Sequence, residues 1–321
     1  MTSKTRRRVL LLFCLSASVF AAESARTPRE LVDLSRRVSD LSTVGPYQLN
    51  ATIVLNPGTS KETSGRITIL RDKGLYHSDL NLPGYREGRW IKENTLYIVR
   101  TRPIPFPHLL VLRELDQLWR VNGIPDNINL KQSKEKDHGK PLECFESNQD
   151  GLSKFCFDSA ISVLVRARGW KAGDIEFQEF GTFEHRYFPS RIIVKEQDRK
   201  LLEVRDITIS KASFTPDMFD PPEGTSGFPT CEEITPPRKI KDVNPEIPIE
   251  DLRRIREAVV YLYGWVAADG SVSNISVEYS PGDSFTESAR RAFQQWRYAP
   301  ATCGGKTIPT EIETHVLYYV R

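Results

Sequence analysis

The chain has 321 residues, of which 45 are basic, 42 are acidic and 39% are apolar. Four of the basic residues and none of the acidic ones lie in the first 21, so the other 300 residues hold 41 basic and 42 acidic side chains. This near-zero balance argues against binding to nucleic acid or to an anionic membrane surface through net charge. A length of 300 residues is sufficient for two domains, each with its own core.

The first residues have the three parts of an export signal. Basic residues at Lys4 and 6–8 precede an apolar run over 9–20, and small residues follow from Ala21. We expect cleavage after Ala21, which makes residues 1–21 a signal peptide and places the mature protein in the periplasm. The run is shorter than the roughly 20 residues that a helix needs to cross a bilayer. An uncleaved anchor in the inner membrane stays as the alternative.

The next region begins with one helical pattern and continues as strands. A capping box at 27–30, with proline at the first helical position, predicts a helix that begins near Thr27. From Tyr47 onward the apolar period changes from about 3.6 residues to 2, which indicates strands. The predicted strands cover 47–55, 66–70, 75–82, 90–91, 96–99, 142–157 as a hairpin, 161–165, 175–180, 187–195 and 201–209, and a second helix covers 109–119.

Four cysteines lie outside the predicted signal peptide, and an oxidising compartment favours disulfides over metal ligation. Cys144 and Cys156 are symmetric about a predicted hairpin loop at 149–151, whose Gly151 supplies the left-handed conformation. Facing residues of such a hairpin are close enough for a disulfide. The spacing therefore predicts the pair Cys144–Cys156. Cys231 and Cys303 then remain to pair with each other.

Composition changes again after residue 222. Residues 223–239 are rich in Gly, Pro, Ser and Thr, which predicts a linker. The order beyond it is helix, hairpin, helix, strand. We expect Ile249, Leu252 and Ile255 to face inward from the first of these helices, and a capping box at 284–287 to begin the second.

The hairpin and the last helix carry a motif that resembles the C-terminal domain of the TonB family. The residues that match are Gly264, Asp269-Gly270, Ala289 and Trp296-Arg-Tyr-Ala-Pro300-Ala301. The resemblance covers about residues 236–321 and implies a small α+β domain, which we place at 240–321. Trp296 and Tyr298 lie at the buried end of an amphipathic helix and are predicted to be core residues.

In that family the domain binds the periplasmic plug of an outer-membrane receptor by adding a partner strand to its own sheet edge, a mode that uses unpaired backbone groups. The resemblance thus implies an envelope protein as partner and the final strand as the binding edge. One face of that strand carries Thr310, Ile312, Thr314, Val316, Tyr318 and Val320.

The order of elements over about 27–222 resembles the LolA-type lipoprotein-carrier family, including the closing Pro-Asp-Met-Phe-Asp-Pro-Pro at 216–222. The fold class expected for the whole chain is therefore α+β: a curved antiparallel half-barrel with helices over 22–222, then the small C-terminal domain. The carrier resemblance implies that a lipid or an acyl chain binds in the hollow of the half-barrel.

The sequence has no phosphate-binding loop, nucleophile elbow or metal-ligand spacing of histidines. We therefore expect a non-enzymatic protein without metal or cofactor. The leading hypothesis is a periplasmic adaptor that recognises envelope partners by strand addition. One alternative is a TonB-like energy transducer anchored by an uncleaved N-terminus, although the compact domain at 22–222 replaces the long spacer that a transducer needs. The other is a periplasmic carrier of lipid or lipoprotein.

Overall fold

The computed structural model describes ten segments of the chain. The predicted signal peptide at 1–21, the hairpin loop at 149–151 and Val320 lie outside them. Within the described segments, no helix combines the length and the apolar character that crossing a membrane requires. The segments are 26–101, 109–113, 115–120, 130–137, 139–147, 154–170, 173–196, 199–225, 227–231 and 234–319.

The first helix, α1 (Pro28–Ser39), begins where the sequence predicts. The hydroxyl of Thr27 accepts a hydrogen bond from the Glu30 amide, and the Glu30 carboxylate accepts one from the Thr27 amide at 2.7 Å. This reciprocal pair satisfies two amide groups that have no partner within the helix. Leu31 and Val32 on its inner face are buried against the large sheet.

Thirteen strands of the described segments form one curved antiparallel sheet. Their order is β13-β5-β4-β3-β2-β1-β12-β11-β10-β9-β8-β7-β6. The strands are β1 (Tyr47–Leu55), β2 (Thr63–Asp72), β3 (Leu75–Leu82), β4 (Tyr85–Lys92), β5 (Thr95–Arg100), β6 (Leu130–Asp137), β7 (Lys140–Ser147), β8 (Lys154–Asp158), β9 (Leu164–Trp170), β10 (Gly173–Phe183), β11 (Arg186–Glu196), β12 (Arg199–Lys211) and β13 (Gly227–Pro229).

The connection between β5 and β6 runs from one end of this sheet to the other, because these strands lie far apart in the sheet order. It carries the short helix α2 (Leu109–Leu112) and a 3₁₀ turn at Leu115–Gln117. The sequence predicted one helix over 109–119. The structure instead ends the α-helix at Leu112, and both Arg113 and Asp116 then reach polar partners while their apolar neighbours pack on the sheet.

The described part of this connection, residues 109–113 and 115–120, fills the hollow of the half-barrel, and we call it the crossing segment. Five apolar side chains of the segment, each at most 1% exposed, belong to the same core cluster as α1 and one face of the large sheet: Val111, Leu112, Leu115, Leu118 and Trp119. The Trp119 indole donates a hydrogen bond to the Ser39 carbonyl at 3.3 Å, which ties the segment to α1. The described part of the interior is thus packed with the chain's own side chains.

A second core lies in the C-terminal part, where the helix α4 (Asp283–Gln294) covers one face of a three-stranded sheet. The order of this sheet is β17 (Val272–Tyr279), β16 (Glu257–Val266) and β21 (Thr310–Tyr319). Two smaller sheets, β14-β19-β20 and β15-β18, complete this part. The elements are β14 (Ile234–Thr235), β15 (Arg238–Lys241), α3 (Ile249–Ile255), β16 (Glu257–Val266), β17 (Val272–Tyr279), α4 (Asp283–Gln294), β18 (Arg297–Ala299), β19 (Ala301–Cys303), β20 (Lys306–Ile308) and β21 (Thr310–Tyr319). The α+β class predicted from the sequence is confirmed.

Two local predictions for this part were wrong. Ile249 and Ile255 are 56% and 46% exposed, and only Leu252 is buried, because a helix of seven residues presents few positions to the core. The predicted capping box at 284–287 does not form, since α4 begins at Asp283. Ser284 lies in its first turn and donates to the Asp251 carboxylate instead.

The segment predicted as a linker, 223–239, forms short strands. Its β13 adds to the end of the large sheet by pairing with β5, and β14 pairs with β19 in the C-terminal part. Cys231 lies between these two strands and is bonded to Cys303. The segment is therefore held at several points along its length.

Candidate partner-binding site

The final strand β21 lies at the end of its sheet. It pairs antiparallel with β16 from Thr310 opposite Val266 to Tyr319 opposite Glu257, and β17 pairs with the other side of β16. Among the described residues, no strand occupies the side of β21 that faces away from β16, which we call the open edge. An end strand presents a row of backbone amide and carbonyl groups to which an additional strand can pair.

The side chains predicted for one face of β21 point toward α4. Val316 and Tyr318 are buried and Ile312 packs against the same core, while Thr310 and Thr314 are half-buried. The Tyr318 hydroxyl donates to the Ser288 hydroxyl at 3.1 Å. These side chains therefore anchor the strand to its own domain, while its backbone groups lie at the open edge.

Two glycines of the hairpin have steric reasons within this chain. Gly270 has φ +82°, and a Cβ atom there would lie 2.0 Å from the Tyr298 carbonyl oxygen. A Cβ atom at Gly264 would lie 3.0 Å from the Phe293 ring of α4. Glycine is thus required at Gly270 by both conformation and space. Trp296 and Tyr298 are each 5% exposed, which confirms their prediction as core residues.

The opposite face of the sheet β17-β16-β21, which we call the outer face, contacts the half-barrel. Glu311 of β21 accepts hydrogen bonds from Arg100 of β5 and from Arg113 beside α2. Tyr263 of β16 accepts a hydrogen bond from Arg100 at 2.8 Å and donates one to Glu311. The side chains of Glu311, Arg100 and Arg113 are 18%, 8% and 11% exposed, so these ion pairs are largely shielded from water.

The same cluster continues into the half-barrel. Glu87 of β4 accepts hydrogen bonds from Arg100 at 2.7 Å and from Tyr85 at 2.6 Å. Although burial acts to raise it, the charges of Arg113, Arg89 and Arg100 hold the pKa of Glu87 below its usual range. Glu87 of the large sheet and Glu311 of the C-terminal sheet thus both bind Arg100, and this shared contact fixes the C-terminal part against β5.

Glu311 and Glu313 follow each other on the outer face but have opposite pKa shifts. Burial acts to raise the pKa of Glu311, but the charges of Arg113 and Arg100 outweigh it and lower that pKa. Burial raises the pKa of Glu313 to about 7, which Glu311 reinforces and Arg113 and Arg100 only partly oppose. Glu311 is therefore the charged partner of the cluster, and Glu313 is protonated at mildly acidic pH.

We expect the stability of the folded chain to fall as the pH rises from about 4.5 to about 7. Glu313 binds its proton more tightly when folded, so its stabilising contribution is complete below its unfolded pKa of about 4.5 and is lost by about pH 7. The contribution of Glu311 is constant in this range, because it is lost only at lower pH. The decrease is at most about 3 kcal/mol, since one pKa unit corresponds to about 1.4 kcal/mol.

Urea unfolding across this pH range measures the effect. The variant Glu313→Gln should lose most of the decrease, whereas Glu250→Gln, at a side chain that is 92% exposed, should keep it. An unchanged pH slope in Glu313→Gln would contradict the assignment.

An aromatic pair and a disulfide lie beside this contact. Phe228 of β13 stacks on Trp265 of β16 with ring centroids 4.4 Å apart. Three residues further along the chain, Cys231 is bonded to Cys303, which closes a loop of 72 residues. β13 therefore joins the large sheet through its backbone and the C-terminal sheet through its side chain.

The second disulfide lies in the half-barrel. Cys144 faces Cys156 across β7 and β8, in the register that the sequence predicts, and the two are bonded. Glu135 lies close enough to both sulfur atoms to suggest a metal site by distance alone. The sulfur atoms are joined to each other, however, so they are not thiolates, which is the form that ligates metals.

The alternation of residues along β21 places Glu311 and Glu313 on the face opposite Ile312 and Thr314, but the sequence does not identify their partners. Arg100 and Arg113 lie about 200 residues earlier in the chain. No periodicity or turn signal connects positions so far apart. The one signal in the sequence was the presence of two acidic side chains on a strand face for which no packing partner was predicted.

Residues 243–320 match the sequence model of the family described as Gram-negative bacterial TonB protein C-terminal. These residues contain the whole sheet β17-β16-β21 together with α3 and α4. The TonB resemblance expected from the sequence is thereby confirmed. No curated protein matches the chain.

Several solved structures are similar to parts of this chain. The TonB C-terminal domain of Pseudomonas aeruginosa is 23% identical, with 27% of this chain and 88% of that chain covered and a TM-score of 0.24. A LolA superfamily protein from Nitrosomonas europaea is 12% identical, with 61% and 99% covered and a TM-score of 0.40. MucB in its complex with MucA, also from Pseudomonas aeruginosa, is 11% identical, with 68% and 72% covered and a TM-score of 0.27.

Proposed function

We propose that this chain is a non-enzymatic periplasmic protein that binds envelope partners by adding a partner strand to the open edge of β21. The observation that carries the proposal is the end position of β21 within the residues that match the TonB C-terminal family. The domain boundaries that go with it are a signal peptide at 1–21, a half-barrel at 22–222, a linker at 223–239 and the partner-binding domain at 240–321.

Two disulfides support a location outside the cytoplasm. The pairs Cys144–Cys156 and Cys231–Cys303 form in an oxidising compartment and are rare in the reducing cytoplasm. The periplasm of Gram-negative cells is such a compartment, and the family description at 243–320 names the same class of cell. Membrane fractionation with mass spectrometry of the N-terminus tests this part, and a soluble periplasmic chain that begins at Ala22 is the expected result.

The packing of the half-barrel favours an adaptor over a lipid carrier. An acyl chain in the hollow would have to displace buried side chains of the crossing segment such as Leu112, Leu115 and Trp119. Displacing each of them would expose apolar surface at a cost of about 2 kcal/mol. The open edge of β21, in contrast, can accept a partner strand without rearrangement of the core.

Proline substitutions at two adjacent positions of β21 test strand addition. Successive residues of a strand direct their amide groups to opposite sides. One of the two variants Thr314→Pro and His315→Pro therefore loses an amide that pairs with β16, and the other loses an amide at the open edge. We expect the variant that loses the amide facing β16 to be destabilised by about 3 kcal/mol. The variant that loses the amide at the open edge should keep nearly its full stability but should no longer bind the partner.

The binding assay uses amide hydrogen exchange of the full chain with synthetic peptides from the periplasmic plug segments of outer-membrane receptors. Protection of 310–319 by a peptide, lost in the stable proline variant, is the expected result. A stable variant that still binds and shows the same protection would exclude pairing at this edge. The variant Lys306→Pro, in the separate strand β20, is the control for a general effect of proline on peptide binding.

A further inference from the structure

The half-barrel covers only half of the outer face of the C-terminal sheet. At the covered end, Tyr263 and Glu311 contact Arg100, and Trp265 stacks on Phe228. At the other end, several large apolar or aromatic side chains remain exposed. We call them the outer strip: Val259, Tyr261, Tyr279, Leu317 and Tyr319.

The members of the outer strip are neighbours on one face, because they lie opposite each other across the ladder or two residues apart along a strand. Val259 lies opposite Leu317, and Tyr261 lies opposite Tyr279 with ring centroids 6.3 Å apart. Apart from the half-buried Val259, the members are 39% to 54% exposed. Two polar side chains lie among the described residues at this end of the face: Glu257 is opposite Tyr319, and His315 is opposite Tyr261 with ring centroids 6.1 Å apart. Exposed apolar surface of this kind marks an interaction site.

The covered end shows what this face binds. There an extended segment, β13, lies alongside the sheet and places an aromatic ring, Phe228, flat on Trp265 at 4.4 Å. The outer strip continues the same face beyond Tyr263, with three further tyrosine rings at Tyr261, Tyr279 and Tyr319. An extended segment that carries aromatic or large apolar side chains therefore has the chemistry that both halves of the face accept.

The outer strip also borders the open edge. A strand added to β21 would place every second side chain on the outer face, directly beside Leu317 and Tyr319. The intervening side chains would lie on the α4 side, next to Val316 and Tyr318. One added strand thus meets the open edge through its backbone and the outer strip through alternate side chains.

We infer that the partner of β21 is an extended protein segment with aromatic or large apolar side chains at alternate positions, which pack against Leu317 and Tyr319 of the outer strip. This inference rests on the proposed strand addition and specifies its partner. The outer strip supplies sequence preference, whereas backbone pairing at the open edge is tolerant of sequence.

Two synthetic ten-residue peptides test the inference on the full chain. One has phenylalanine at alternate positions with threonine between them, and the other has serine in place of every phenylalanine. We expect the phenylalanine peptide to bind at least about tenfold more tightly, because two or more cross-strand contacts with the outer strip add to backbone pairing. The variant Leu317→Glu should abolish this preference. Ile240→Glu, at an isoleucine on β15 that is 59% exposed, should retain it.

The outcomes separate this inference from the strand addition on which it rests. Equal affinity of the two peptides, with protection of 310–319 by both, would overturn the inference and leave strand addition intact. A preference that persists in Leu317→Glu would also overturn it, because the outer strip would not be its source. Absence of protection by either peptide would count against both. Self-association of the chain with protection of Leu317 would identify a second copy as the occupant and overturn the inference.

Discussion

Replacing Asp116 with alanine is expected to destabilise the half-barrel by about 3–5 kcal/mol. Asp116 is 3% exposed, and one of its carboxylate oxygens accepts hydrogen bonds from Arg71 at 2.7 and 3.0 Å and from Tyr47 at 3.0 Å. The substitution leaves the guanidinium of Arg71 buried without its charged partner, which is the costly way to remove half of a buried ion pair. Urea unfolding measures the change, and Asp79→Ala, at a carboxylate that is 65% exposed, should alter stability by less than about 0.5 kcal/mol.

This variant also separates the adaptor from the carrier. Asp116 fixes the crossing segment to β1 and β2, so its loss should loosen the side chains that fill the hollow. We expect Asp116→Ala to bind a fluorescent fatty acid that the unchanged chain does not bind, and partner binding at β21 to be unaffected. Tight fatty-acid binding by the unchanged chain would instead favour the carrier, because it would mean that the crossing segment already yields to a ligand.

Replacing Glu311 with alanine is expected to weaken the contact between the C-terminal sheet and the half-barrel by about 3 kcal/mol. The carboxylate accepts hydrogen bonds from Arg100, Arg113 and Tyr263, and the substitution removes all three. Arg100 keeps Glu87 at 2.7 Å, whereas the distance from Arg113 to Glu87 is 3.8 Å, so Arg113 suffers the greater loss.

The expected signature is the separation of one unfolding transition into two. The two main cores have no apolar residue in common, so each can unfold by itself once the polar contact between them is weakened. Calorimetry of Glu311→Ala records this, and limited proteolysis within 223–239 should become faster. The control is Glu287→Ala on α4, whose exposed pair with Arg290 should matter little. A single transition at the original temperature would show that other contacts hold the two parts together.

Glu311 also connects stability with recognition. It lies at the start of β21, where the half-barrel covers the outer face, and the exposed outer strip lies toward the end of the same strand. A partner strand paired along the whole of β21 would extend from the outer strip to the covered end beside Glu311. If Glu311→Ala also lowers the affinity for the phenylalanine peptide, the half-barrel contributes to the same binding surface. An unchanged affinity would confine recognition to the C-terminal domain.

The sequence by itself determined the features that depend on neighbours along the chain. The capping box fixed the start of α1, because its partners Thr27 and Glu30 are three residues apart. The symmetry of Cys144 and Cys156 about a turn predicted their pairing, because a hairpin loop sets the register of its strands. The alternation along β21 predicted which side chains reach the core, and Gly270 marked a turn that a side chain would block.

Only the tertiary structure decided where distant segments meet. Crossing of the sheet between β5 and β6 brought Asp116 to Arg71 and Tyr47, and the approach of the two sheets brought Glu311 to Arg100 and Arg113. The same limit explains Ile249 and Ile255: their helical spacing indicated a buried face, but none of the elements that the structure describes covers them. Periodicity and turn residues encode which way a side chain points, whereas its partner across the fold depends on the packing of the whole chain.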